Sequence, residues 1–116
     1  YRTYAELRFE YNKEQIVLSI LQSQSLKNSP EYYDYLFIPF MDKSNGEETY
    51  EGGRYLDLRF ADLKNDGTLF IDFNKAYNPY CAFSGGYSCP IPPLENRIQV
   101  AIPAGEKKFR KPNHQH

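Results

Sequence analysis

Between Tyr4 and Tyr11 the chain alternates without a fault. Ala5, Leu7, Phe9 and Tyr11 fall on one side of an extended backbone, and Glu6, Arg8 and Glu10 on the other. A period of two residues marks a half-buried β-strand. Asn12-Lys13 then turns the chain into Gln15–Leu21, rich in Ile, Val and Leu, a second predicted strand; only Ile16–Leu26 competes as a short helix. SQSLKNSPEYYD is polar, carries a proline and predicts a loop. Asp34–Asp42 (DYLFIPFMD) is a third predicted strand, where Pro39, lacking an N–H, suggests an edge or a bulge.

Asn45-Gly46 predicts a hairpin, because both central residues of a type I′ turn need positive φ; it would pair Lys43 with Glu48 and Asp42 with Thr49. Gly52-Gly53 marks a further bend. Arg54–Phe60 (RYLDLRF) and Thr68–Asn74 (TLFIDFN) flank the turn signal Asp66-Gly67, and Arg97–Ile102 (RIQVAI) is the last predicted strand. Short strands, frequent turns and no helical period predict an all-β fold: one domain over residues 1–116, an antiparallel β barrel or sandwich with a long ordered loop.

That loop is Asn74–Asn96, NKAYNPYCAFSGGYSCPIPPLEN, which holds both cysteines of the chain. Loops beyond about 12–15 residues without regular structure tend to be functional or disordered. Here Ala76, Tyr77, Tyr80, Phe83, Tyr87, Ile91 and Leu94 supply an apolar payload, and four prolines restrict the unfolded chain, which predicts a packed lid.

Charge narrows the function classes. Fourteen basic and fifteen acidic residues are interspersed, so no basic face for nucleic acid is expected, and the short basic end KKFRKPNHQH reads as solvated. No apolar run approaches the ~18–20 residues of a membrane span. The opening YRTYAELRFEY lacks an initiator Met and a signal peptide, which suggests a processed or trimmed chain and leaves the compartment open.

Three blocks occur in order: LFIPFMDKSNGEETYEGGRYLDL (Leu36–Leu58), FIDFNKAYNPYCAFSGGYSCPIPPLENRI (Phe70–Ile98) and VAIPAGEK (Val100–Lys107). Together they resemble the uncharacterised prokaryotic family called domain of unknown function 1684, over roughly the C-terminal two-thirds of the chain. Tyr80 departs from the family pattern, which has a second proline there, and Ser44-Asn45 replaces Thr-Ser. The resemblance implies additional sequence upstream of Tyr1, strand edges that lack partners here, and no established activity.

The candidate chemistry gathers at the hairpin and the loop. Arg54 offers a planar fork for a carboxylate or phosphate, with Glu48, Tyr50 and Tyr55 beside it; equally, it could pair with Glu48 or Asp72 to fix the fold. Asp72 and Asn74 share a face of a predicted strand, as a general base or metal ligand, or as groups that pin the loop by hydrogen bonds. Cys81 and Cys89 have four readings: a disulfide, two buried thiols, a metal site drawing on Asp72, His114 or His116, or a catalytic thiolate. A bridged pair would favour an extracytoplasmic location, and free thiols a cytoplasmic one. Glu95 and Asn96 either hold the turn into Arg97 or join Tyr77 and Asn78 in facing a ligand. Tyrosine-rich surroundings suit a sugar or flat ring. No cofactor or metal is called for. Three functions compete: a domain binding a small polar ligand beneath Asn74–Asn96, a hydrolase using Glu48 or Asp72 with Arg54, and a structural or interaction domain.

Overall fold

A computed structural model of the chain describes residues 1–26, 28–47, 49–50, 52–79 and 90–107. Four strands, β1 (Arg2–Tyr11), β2 (Glu14–Gln22), β3 (Tyr35–Phe40) and β4 (Arg54–Arg59), form one antiparallel sheet in the order β1-β2-β3-β4. The all-β expectation holds. Among the described residues the sheet is open, neither closed as a barrel nor doubled as a sandwich.

Asn12 and Lys13 both take positive φ, 49° and 66°, and make the two-residue turn that joins β1 to β2. The predicted turn of that type at Asn45-Gly46 is different: only Gly46 has positive φ. Gly46 N–H donates to the Thr49 carbonyl at 2.8 Å, while Asn45 Oδ1 accepts from the Asp42 N–H at 2.7 Å. A side chain that bonds its own turn thus replaces the expected Asp42–Thr49 pairing; the partner expected for Lys43, Glu48, lies outside the described residues.

Period-two alternation sorts the strands into two faces. Leu7 and Phe9 of β1, Ile16, Leu18 and Ile20 of β2, Leu36, Ile38 and Phe40 of β3, and Leu56 and Leu58 of β4 share the core face. The segment that follows β4 covers it: Phe60, Leu63, Leu69, Ile71 and Phe73 pack on this cluster, and Ala76, Ile98 and Ile102 are buried in it. Two predicted strands are therefore coverings. Thr68–Asn74 keeps its apolar alternation but pairs only through a Leu63–Leu69 bridge, and Asp72 accepts the Asn74 N–H and starts a 3-10 turn at Phe73–Lys75. Arg97–Ile102 packs on the sheet through Ile98 and Ile102 but has only one ladder pairing, the isolated bridge Met41–Arg97 just past β3.

Pro39 overturns the edge-or-bulge expectation, since β3 is an interior strand paired in register with β4. On the β4 side Tyr55 directs its N–H and carbonyl outward, to Tyr77, so Pro39 owes no donor there. The β2–β3 pairing is a single residue pair, Leu21–Phe37, and extending that register brings Ser19 opposite Pro39. The fully buried Asn96 side chain fills this place. Its Oδ1 accepts from Ser19 N–H at 2.7 Å, and its Nδ2 donates to the carbonyls of Ser19 at 3.0 Å and Pro39 at 2.8 Å. An amide from the far end of the chain supplies the N–H that proline lacks.

Candidate functional site

Arg54 opens β4 on the core face, opposite Phe40, whose ring lies 5.2 Å below the guanidinium carbon. It is fully buried. Nη2 donates to the Ile102 carbonyl at 2.6 Å, Nη1 donates to the Ala104 carbonyl, and Asp42 Oδ2 stands 3.7 Å from Nη2. Asp42 in turn accepts from Ser44 Oγ at 2.8 Å and from Ile102 N–H. The ion-pair partner is thus Asp42; the expected Asp72 partner is not brought to it, because Asp72 sits at the 3-10 turn after β4's covering loop, and Glu48 lies outside the described residues. Burial pulls the guanidinium's pKa below its ordinary value, and Asp42 opposes the shift.

The other candidates take separate places, and only Asn78 reaches the segment that Arg54 holds. Asn78 N–H donates to Glu106 Oε1 at 2.6 Å and its Nδ2 to the Lys107 carbonyl at 3.0 Å, tying the loop to the AGEK segment. Tyr50 belongs to the bend, its carbonyl accepting the Gly53 N–H at 3.1 Å. Gly53 has φ of 93°, and a Cβ there would lie 2.5 Å from the Phe40 carbonyl, so this position admits only glycine without strain. Glu95 Oε2 accepts from Ser19 Oγ at 3.3 Å. Asn74 is exposed and bound to Asp72 through its N–H. Cys81 and Cys89 lie outside the described residues.

A second polar centre occupies the opposite face of the same strand. Tyr35 and Tyr77 hydroxyls both donate to Asp57 Oδ1, at 2.8 and 2.6 Å. Rings connect the centre along the sheet: Tyr35 stacks on Phe37 at 5.9 Å, and Tyr55 meets Phe37 and Tyr77 edge-on at 5.7 and 5.8 Å. Tyr55 hydroxyl donates to the Pro90 carbonyl at 2.5 Å. Burial raises the Tyr35 and Tyr77 pKa values, with the Asp57 hydrogen bonds adding to the rise, and Tyr55 is pushed up to about 12, first by burial and then by Tyr1 and Tyr50. Beside Tyr35, Arg59 is held by Asp34 at 2.8 Å over the rings of Tyr32 and Tyr35.

Asp57 lines two cavities. One, of about 150 Å³, lies against Asp62, Asp72, Phe70 and Lys75; the other, of about 160 Å³, lies against Tyr32, Tyr35 and Arg59. Of the sequence candidates, only Asp72 lines the first cavity and Tyr77 reaches the carboxylate. Tyr35, Asp57 and Arg59 were missed. The signal was present, because alternation in DYLFIPF and RYLDLRF places Tyr35, Tyr55, Asp57 and Arg59 on the face that Arg54 does not share. Among the described residues no three Asp, Glu, His or Cys side chains come together to hold a metal ion, and no helix is long and apolar enough to cross a membrane.

Fold and site together define an all-β domain: an open antiparallel sheet latched by a buried arginine, with a tyrosine–carboxylate centre on its outer face. The chain belongs to the family described as Protein of unknown function (DUF1684), whose model matches residues 1–107 and so includes the β1–β2 hairpin as well as the three signature blocks. It is similar, at 35% identity and a TM-score of 0.67, to an uncharacterised protein of Haloarcula marismortui solved by solution NMR. That likeness covers 96% of this chain and 56% of the other, so the chain spans little more than half the length of its relative. No curated protein matches the chain.

Proposed function

We propose that the chain is a binding domain for a small hydroxylated ligand of the sugar class, taken at Asp57 beside the Asn74–Asn96 segment. The carrying observation is the convergence of two phenol hydroxyls on one oxygen of an exposed carboxylate. Bonds on an exposed group add little to stability, because water competes for both partners. They do fix the carboxylate's direction, leaving Oδ2 and the phenol lone pairs as acceptors for ligand hydroxyls. The exposed Tyr32 ring, with Arg59 over it, offers the stacking surface, and Arg59 offers donors for a ring or hydroxyl oxygen.

The signature residues support a second, compatible reading as fold determinants. Arg54, Asn78 and Asn96 direct their donors to main-chain carbonyls. The family motifs then build the scaffold and also supply Asp57 and Tyr77 to the ligand centre, while Tyr32, Tyr35 and Arg59 join it from outside those blocks. A hydrolase pairing Arg54 with Asp72 finds no support in this geometry.

Saturation-transfer NMR against a panel of neutral monosaccharides and amino sugars tests the binding reading. Transfer to ring protons of at least one sugar is expected for the wild type, and its loss in Asp57→Asn with unchanged amide dispersion. No transfer from any sugar, or transfer indifferent to Asp57→Asn, would overturn it.

A further inference from the structure

The outer edge of β1 is the longest unsatisfied feature of the sheet. β1 closes one end of the strand order, and no described residue pairs with its far side. The two-residue turn at Asn12-Lys13 fixes which groups are free. Tyr11 and Glu14 flank it as a hydrogen-bonded pair, so Phe9 and Leu7 also bond to β2, and the N–H and carbonyl groups of Glu6, Arg8 and Glu10 point outward. Natural sheets seldom leave a ten-residue edge in this condition. The apolar row beside it is unfinished too: Ala5, Leu7, Phe9 and Tyr11 are only half-buried. A groove of about 550 Å³ runs between Glu6–Phe9 and Gly67–Ile71, with Phe70 at its rim 80% exposed.

We propose that this edge pairs with the same edge of a second copy of the chain, antiparallel about a two-fold axis through Leu7. Charge favours a second copy as the occupant, and charge together with overlap selects the register. Centred on Leu7, Glu6 faces the partner's Arg8 and Arg8 faces the partner's Glu6, while Leu7 meets the partner's Leu7 and Phe9 meets the partner's Ala5. Centring on Glu6 or on Arg8 instead sets like charges opposite each other, which cross-strand pairing penalises. Centring on Phe9 keeps opposite charges, Arg8 facing the partner's Glu10, but overlaps only Leu7–Tyr11, whereas centring on Leu7 overlaps Thr3–Tyr11. The alternation that buries one face of β1 therefore also makes its edge self-complementary. The dimer extends the sheet to eight strands by the four of each copy, and continues the apolar row across the axis. The opposing account is that Glu6, Arg8 and Glu10 guard the edge against any partner.

Sedimentation equilibrium and native mass spectrometry of the 116-residue chain separate the two. The wild type is expected to show a concentration-dependent dimer. Glu6→Arg alone and Arg8→Glu alone each put like charges in register at both symmetric sites, and each is expected to weaken the dimer by about 10-fold or more. Mixing the two single variants in equal amounts restores complementarity. One strand then carries two basic side chains at positions 6 and 8, the other two acidic ones, and heterodimers are expected to dominate the mass spectrum. These are exposed positions on an intact hairpin, so amide dispersion should be unchanged. A strict monomer, a dimer indifferent to both substitutions, or a mixture without preferential heterodimers would each overturn the proposal. So would a longer form of the protein in which another strand of its own occupies the β1 edge.

Discussion

Arg54 and Asp57 stand three residues apart on one strand, and the protein treats their charges in opposite ways. Arg54 is buried and surrounded by main-chain carbonyls and Asp42; Asp57 is exposed and receives two side-chain hydroxyls. A buried charge must be satisfied by what the fold provides, so its partners are fixed parts of the chain and its loss is a loss of structure. An exposed carboxylate needs no partner to be soluble. Two tyrosines aimed at it fix an orientation, and orientation is what a binding group requires. The contrast separates holding the fold from presenting a surface on the two sides of a single β-strand.

The largest break in that contrast should come from Arg54→Met. It strands Asp42 and the Ile102 and Ala104 carbonyls, and should cost about 3–5 kcal/mol out of the ~5–15 typical of a domain. Urea denaturation checks it, and a loss below about 1 kcal/mol would show that the latch is dispensable. Asn96→Ala follows at about 3 kcal/mol, since Ser19 and Pro39 keep three buried main-chain groups without partners. Gly53→Ala should cost about 1–3 kcal/mol from its backbone conformation alone, and more if the Phe40 carbonyl cannot move; the same titration reads it.

Alkaline pH sharpens the comparison from the other face. A tyrosine ionises near 10 in the unfolded chain, whereas Tyr55 is held up to about 12 and Tyr35 and Tyr77 are raised as well. Between those values the unfolded state gives up its proton first. The stability these phenols contribute is therefore complete below about pH 10 and falls as pH rises through 12. Urea midpoints stepped across that range should drop, and Tyr55→Phe should flatten part of the fall. The smallest effect on stability belongs to Asp57→Asn, which should leave the unfolding midpoint nearly unmoved while removing sugar binding. A large stability loss there would erase the distinction between the two centres.

Much of this was legible in the sequence. Alternation in Tyr4–Tyr11, Ile, Val and Leu richness in Gln15–Leu21, and the turn-bounded runs Asp34–Asp42 and Arg54–Phe60 located all four strands of the sheet. The same pattern predicted too many: Thr68–Asn74 and Arg97–Ile102 alternate because each lays one side on the core, which a covering segment does as readily as a strand. Chemical type left Arg54 open between a ligand fork and a fold-fixing ion pair, although its parity with Leu56 and Leu58 placed it inward. Asn96 offered no local sign of its role. The groups it satisfies are 77 and 57 residues distant in sequence, and no window along the chain contains them.

The Asn96 staple also has a consequence in time. The β1–β2 and β3–β4 pairs each close over a short stretch of chain, but the join between them waits for an amide 77 residues from Ser19. Bringing such distant parts together carries the heaviest loop-closure entropy and sets a slow step. On a ribosome both strand pairs are complete in sequence before the ENR segment that joins them is made. The residue that makes the sheet whole is therefore synthesised after all four of its strands.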